Sequence, residues 1–222
     1  ISLSSDGSVV AIGASGNDGN GKESGHVRIY KLIPTSIDGV TSSTSDGLYK
    51  VGDSINLAID FTGIVNVTST SGIPTLELET GRTDRTASYI SGSGSSTLIF
   101  SYTIQAGDTA SDLDLTSTSS LELNGGTIRD IEGNNVTLTL PSPGASNSLA
   151  ANQTLAIDGV TPTILGPSGS AGDSNSSQSI NENTASIYTF TADEIVTWSL
   201  NGGLDGSKFS IDSSSGALTF AT

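Results

Sequence analysis

The sequence predicts an all-β protein built round one central sandwich of about 120 residues, with a shorter sheet-forming segment on each side. Three observations carry that prediction. A pentapeptide occurs twice, as Ile37-Asp38-Gly39-Val40-Thr41 and as Ile157-Asp158-Gly159-Val160-Thr161, 120 residues apart. That spacing is about one sandwich domain, and self-matches at domain spacing are how tandem modules show in a sequence. Short runs rich in β-branched and aromatic residues alternate with polar ones at period two. Between the runs lie clusters of Gly, Ser, Asn and Asp, the residues that make tight turns. Chance recurrence in a Gly/Ser/Thr-rich chain competes as an account of the pentapeptide. Its equivalent place in the pattern both times favours joints, which divide the chain into 1–33, 37–158 and 163–222.

In the first segment, Ile1-Ser2-Leu3 and Val9-Val10-Ala11-Ile12-Gly13-Ala14 flank the turn Ser5-Asp6-Gly7-Ser8 and predict a hairpin. A polar loop, 15–25, leads to a third strand over 26–32, with Val27 and Ile29 on one face. Three strands alone cannot bury both faces of a sheet, so the segment reads as part of a larger repeat. In the middle segment, Ile55, Leu57, Ile59 and Phe61 face inward from one run, and Leu98, Phe100, Tyr102 and Ile104 repeat the pattern. Shorter strands are expected near 63–68, 75–79, 87–91, 121–123, 136–140 and 154–157. In the last segment a Ser/Gly/Asn-rich linker, 167–178, precedes strands near 186–192, 196–200, 209–212 and 216–220. Trp198 lies in an alternating run there and reads as a core residue.

Charge narrows the partners. With 23 acidic and 8 basic residues the net charge is −15, a potential that repels nucleic acid and anionic membrane surfaces. Crowded carboxylates invite a divalent cation, calcium first, although a solvated acidic surface would need no metal. The candidate ligands stand at turns and joints. Asp38 and Asp158 mark the two joints, Asp46 and Asp53 flank the entry turn, and Asp108, Asp112 and Asp114 cluster in one loop. Asp112 and Asp114 would point the same way in an extended chain. Asp130, beside Glu132, makes another turn. The plainer account of each is that Asp favours turns because its side chain bonds nearby backbone.

The chain has no Cys, so neither disulfides nor thiol chemistry enters, and no Met, which points to a start inside a longer reading frame or after processing. No run of 18 apolar residues exists, so no membrane-spanning helix is expected. Catalytic patterns are missing too. His26 is the single histidine, which rules out zinc sites built from several imidazoles, and no nucleophile elbow or phosphate-cradling loop occurs.

Three stretches carry resemblances. Ser4-Ser5-Asp6-Gly7-Ser8-Val9-Val10-Ala11-Ile12-Gly13-Ala14, with Gly16-Asn17-Asp18-Gly19-Asn20-Gly21 and Ser24-Gly25-His26-Val27-Arg28-Ile29-Tyr30, resembles one blade of the integrin-α-type (FG-GAP-like) β-propellers of bacterial surface proteins. That family often holds calcium in the blade loop; here Asn17, Asp18, Asn20 and Glu23 supply oxygens at a different spacing. The stretches 46–53, 91–98, 121–130 and 133–134 together resemble a tandem Ig-like module of very large bacterial surface proteins. Asn181-Glu182-Asn183, Ala192-Asp193, Phe209-Ser210-Ile211-Asp212 and Gly216-Ala217-Leu218 are similar to a cadherin repeat, truncated at its end. That last resemblance implies calcium ligation by Glu182 and Asp193. In modules of this bacterial kind the sequons at Asn66 and Asn135 are incidental.

Together these imply a central Ig-like sandwich flanked by a partial propeller blade and a partial cadherin-like sandwich. The expected function is a non-catalytic spacer and adhesion segment of a large extracellular bacterial repeat protein. Its partners would be calcium at the joints, neighbouring modules of the same chain, and a cell-surface, glycan or protein target. The other reading is an accessory carbohydrate-binding module of an exported enzyme. Most of the 5 Tyr, 5 Phe and 1 Trp sit at core-facing positions, which leaves few rings for stacking sugars.

Overall fold

The computed structural model describes residues 1–5, 9–14, 26–31 and 33–221. Most of the first turn (6–8) and the loop 15–25, with Asn17, Asp18, Asn20 and Glu23, lie outside the described residues. The protein is all-β, and the chain divides into two compact units, Ile1–Gly159 and Val160–Thr222.

The first unit opens with β1 (Ser2–Leu3), β2 (Val9–Ala14) and β3 (His26–Lys31), which pair antiparallel in that order as a separate sheet. Leu3, Val27 and Ile29 are exposed, and no other described strand pairs with this small sheet. A large curled sheet follows. Its strands are β4 (Ile37–Ser42), then, after β5 (Gly47–Lys50), β6 (Ser54–Thr68), β7 (Thr75–Glu79), β8 (Arg85–Ser91) and β9 (Ser95–Thr103). After the two-residue β10 (Thr109–Ala110), it is completed by β11 (Asp114–Leu115), β12 (Leu121–Glu122) and β13 (Thr127–Asp130).

β6 is the spine. Its first half pairs with β4 and β9, and its second half with β13. The two runs expected at 54–61 and 63–68 are one strand, bent where its register with β9 slips between Asp60 and Val65. One helical turn, α1 (Leu149–Asn152), is capped by Ser148, whose hydroxyl accepts from the Ala151 N–H. It leads to β14 (Leu155–Asp158), which lies between β10 and β5 in a three-stranded sheet. β14 and β5 run parallel, the only parallel ladder among the described strands.

The core follows the period-two pattern. Ile55, Leu57, Ile59 and Phe61 are buried from β6, and Leu98, Phe100 and Tyr102 from β9, with Ile104 just beyond it. The three-stranded sheet adds Leu155 and Ile157, and α1 adds Leu149. Every member of this buried cluster lies between Val40 and Ile157. Residues 136–140 keep the expected alternation, with Leu140 buried, but make no strand. Thr137 makes a single bridge to Ser36, and the Leu140 N–H donates to the Thr118 carbonyl at 2.9 Å.

The second unit pairs β15 (Ile164–Leu165) with β17 (Thr191–Ala192), and β16 (Ser186–Thr189) with β19 (Ala217–Phe220), which also takes β18 (Phe209–Ile211). Aromatic rings pack in pairs here. Tyr188 meets Phe190 edge-on at 5.3 Å, Phe190 tilts against Trp198 at 6.1 Å, and Phe209 stacks on Phe220 at 5.5 Å. Residues 196–200 form no strand; the Trp198 N–H donates alone to the Ser213 carbonyl. Gly216 is the only buried residue among the described residues of this unit.

Candidate functional site: the carboxylates of the turns

Asp108 has the most elaborate surroundings of any expected ligand. It ends the turn between β9 and β10, and its side chain is 1% exposed. The Arg85 Nε–H donates to Oδ1 at 2.8 Å, while the Tyr102 hydroxyl and the Gln105 N–H both donate to Oδ2. Burial alone would raise the Asp108 carboxyl. The bonds from Tyr102, Arg85 and Gln105 to its charged form outweigh that and hold it below the usual carboxylate range. Burial, then the bond to Asp108, pushes the Tyr102 phenol well above its usual value. The result is a satisfied acceptor with no oxygen turned outward, built on strands β8 and β9.

The backbone of the same turn holds the second pentapeptide copy. The Gly159 N–H donates to the Asp108 carbonyl at 2.7 Å, and the Gly107 N–H donates to the Gly159 carbonyl at 2.8 Å. A Cβ on residue 159 would stand 2.5 Å from the Gln105 carbonyl oxygen and 2.6 Å from that of Asp108, so only glycine fits. The first copy does a different job. It lies within β4, where Val40 is fully buried and Asp38 is the extra, bulged residue opposite β6. One copy begins a core strand, and the other ends one.

Most of the remaining expected ligands accept backbone N–H groups. Asp46 takes the Thr154 N–H at 2.9 Å and Asp112 the Leu155 N–H at 3.2 Å, so two separate loops grip the start of β14. Asp114 is buried and accepts from Leu115 and Gly144, each at 2.8 Å. It therefore serves a different segment from its neighbour Asp112. Asp53 accepts from the Lys50 N–H at 2.9 Å. Asp130 closes its own turn, taking N–H groups of Glu132 and Asn134 and the Asn134 side-chain amide, which foremost keeps its carboxyl low. In the second unit Asp193 accepts from the Thr163 N–H at 2.8 Å, the main cause of its lowered carboxyl. Asp158 pairs with Lys50, Nζ to Oδ2 at 3.6 Å. Asp38 is exposed on its bulge, and Glu182 lines a shallow hollow with Ile180 and Phe220.

Calcium takes six to eight oxygens. No group of three or more Asp, Glu or His is placed to hold a metal ion among the described residues. Seven of the ten candidate carboxylates accept backbone N–H groups, Asp158 pairs with Lys50, and no three of the candidates meet at one place among the described residues, so the described donor set does not fit a calcium cage. A cleft of about 580 Å³ between Ile33–Thr35 and the Asp130 turn is lined by Glu132, Asn134 and Asn135. Asp130 there is already committed to its own loop. No helix among the described residues is long and apolar enough to cross a membrane.

Sequence reasoning missed Arg85 and the role of the Tyr102 hydroxyl. The trace was available. Tyr102 falls on an inward position six residues before Asp108, and a buried phenol needs a partner. Comparison with protein-family models, with curated proteins and with solved structures gave no match.

Proposed function

We propose that this chain is a non-catalytic spacer segment of an extracellular bacterial surface protein, holding neighbouring modules at a distance from an adhesion target. The observation that carries this reading is the use made of the acidic residues. Seven of the ten expected ligands accept backbone N–H groups: Asp46, Asp53, Asp108, Asp112, Asp114, Asp130 and Asp193. Groups that would do chemistry or take a ligand are instead consumed in fixing loops. That suits a body whose task is to keep its shape.

In this reading the stiffness expected from calcium bridges comes from carboxylate-to-backbone bonds, which are charge-assisted and stronger than neutral ones. The concentration of buried apolar side chains between Val40 and Ile157 gives the spacer one firm body. The blade-like and cadherin-like resemblances supply the extracellular setting.

The experiment is a binding screen of the purified chain on a glycan array, with hydrolase activity assayed on the same glycans. The spacer reading expects neither selective binding nor turnover. Selective binding of one glycan class would replace it with the accessory carbohydrate-binding module.

A further inference from the structure

The tetrapeptide Leu-Asn-Gly-Gly occurs twice, as Leu123-Asn124-Gly125-Gly126 and as Leu200-Asn201-Gly202-Gly203. An asparagine followed by glycine carries a self-reaction. The glycine nitrogen, unscreened by any Cβ, can reach the asparagine Cγ and close a five-membered ring. The shared tetrapeptide gives both copies a similar intrinsic tendency, so their surroundings decide which one reacts. A third such step, Asn20-Gly21, lies outside the described residues.

The first copy is held. The Asn124 side-chain amide donates to the Ile73 carbonyl at 3.0 Å and to the Thr75 hydroxyl at 2.9 Å. Its backbone is in the left-handed region, and the Gly126 N–H closes the turn onto the Leu123 carbonyl at 2.8 Å. Pairing of Glu122 with Thr75 anchors this turn to the large sheet. Swinging the amide round to the Gly125 nitrogen would break both side-chain bonds.

The second copy is open. Asn201 is exposed in a stretch that forms no strand. Among the described residues neither its side chain nor the Gly202 N–H makes a hydrogen bond. A Cβ built on Gly202 or Gly203 would meet nothing within 4 Å. The amide is therefore free to turn onto the Gly202 nitrogen, with water around both.

We propose that Asn201-Gly202 is a self-modification site, at which the chain converts its own amide to an acid with water as the sole co-reactant, while the fold protects Asn124-Gly125. The Gly202 N–H gives its proton to solvent, and its nitrogen bonds to the Asn201 Cγ. The Cγ–Nδ2 bond breaks, and Nδ2 takes up a proton and leaves as ammonia. Water then opens the ring at either carbonyl, leaving aspartate or isoaspartate at position 201. Both add a negative charge, and isoaspartate also lengthens the main chain by one carbon close after Trp198. The chemistry is independent of the spacer reading.

The test incubates the full 222-residue chain in mildly alkaline buffer made with heavy-oxygen water. Peptide mass spectrometry then reads the label gained at each asparagine over time. Asn201 should convert at least about tenfold faster than Asn124, the scale of the two side-chain bonds that must open first. In guanidinium chloride, where both copies are unfolded, the two rates should converge. Equal rates in the folded chain, faster conversion of Asn124, or a ratio that denaturant leaves unchanged would each overturn the proposal.

Discussion

Arg85 and Asp108 meet at 2.8 Å, across two strands and a turn, with the carboxylate 1% exposed and the guanidinium still partly in contact with solvent. Removing one partner of a buried pair leaves an uncompensated charge, at a cost of about 3–5 kcal/mol. Arg85→Met and Asp108→Ala should each destabilise the first unit by roughly that amount. The double variant should lose clearly less than the sum, since the two side chains interact directly. Urea denaturation followed by far-UV circular dichroism measures all three. Strict additivity would show that the pair contributes nothing as a pair.

The same network sets an acid limit. The Asp108 carboxyl is lowered in the folded state, so its contribution is fully present above the unfolded carboxylate value near pH 4 and is lost as pH falls through the lower folded value. Tyr102→Phe removes a bond made to the charged form, which raises the folded value. The variant should cost about 1.5–3 kcal/mol at neutral pH and lose less stability on acidification than the parent chain, because the unfolded carboxyl sets the same onset near pH 4 in both and the variant's loss ends at a higher pH. Stability measured from pH 7 down to pH 2 reads both effects. A parallel pair of curves would show that the hydroxyl does not tune the carboxylate.

The two units should come apart on denaturation. Trp198 is the single tryptophan and lies in the second unit, so its fluorescence reports that unit alone. With only Gly216 buried among the described residues there, against more than twenty apolar residues in the core of the first unit, the fluorescence transition should precede the circular dichroism transition. Leu57→Ala should move the later transition by about 2–5 kcal/mol and leave the earlier one in place. Coincident transitions would mean that the units unfold as one.

Gly159→Ala tests the close approach at the second pentapeptide. An added Cβ would stand within 3 Å of three backbone atoms of Gln105 and Asp108, none of which can swing aside as a flexible side chain would. The expected loss is about 1–3 kcal/mol, read by thermal unfolding. Gly206→Ala is the control, since a Cβ there meets nothing within 4 Å. Equal small losses at both positions would remove the packing account of Gly159.

How much of this was readable beforehand differs from element to element. Alternation exposed the core well. All eight inward residues expected from the runs that became β6 and β9 are buried, because a half-buried strand writes its packing into every second residue. Short strands such as β10 and β11 left no trace, as two residues carry no period. The first pentapeptide copy was legible as a repeat but not as the interior of β4, since a glycine and a bulged Asp38 interrupt its pattern. The acidic positions were only partly legible: Asp53 and Asp108 stand beside turns, whereas Asp38, Asp114, Asp130 and Asp158 lie in strands. Which way each carboxylate reaches depends on contacts such as Asp46 to Thr154, 108 residues away along the chain, and spacing within a loop says nothing about them.

The account stands or falls on whether the turn carboxylates hold the core through backbone donors without a shared metal. Thermal unfolding of the full chain, followed by far-UV circular dichroism in millimolar calcium and again in excess chelator, asks that directly. The main transition, from the core between Val40 and Ile157, is predicted to keep the same midpoint in both. A calcium site filled at about 100 times its dissociation constant would add roughly 2.7 kcal/mol, so a calcium-dependent rise of more than about 5 °C in that midpoint would contradict the account.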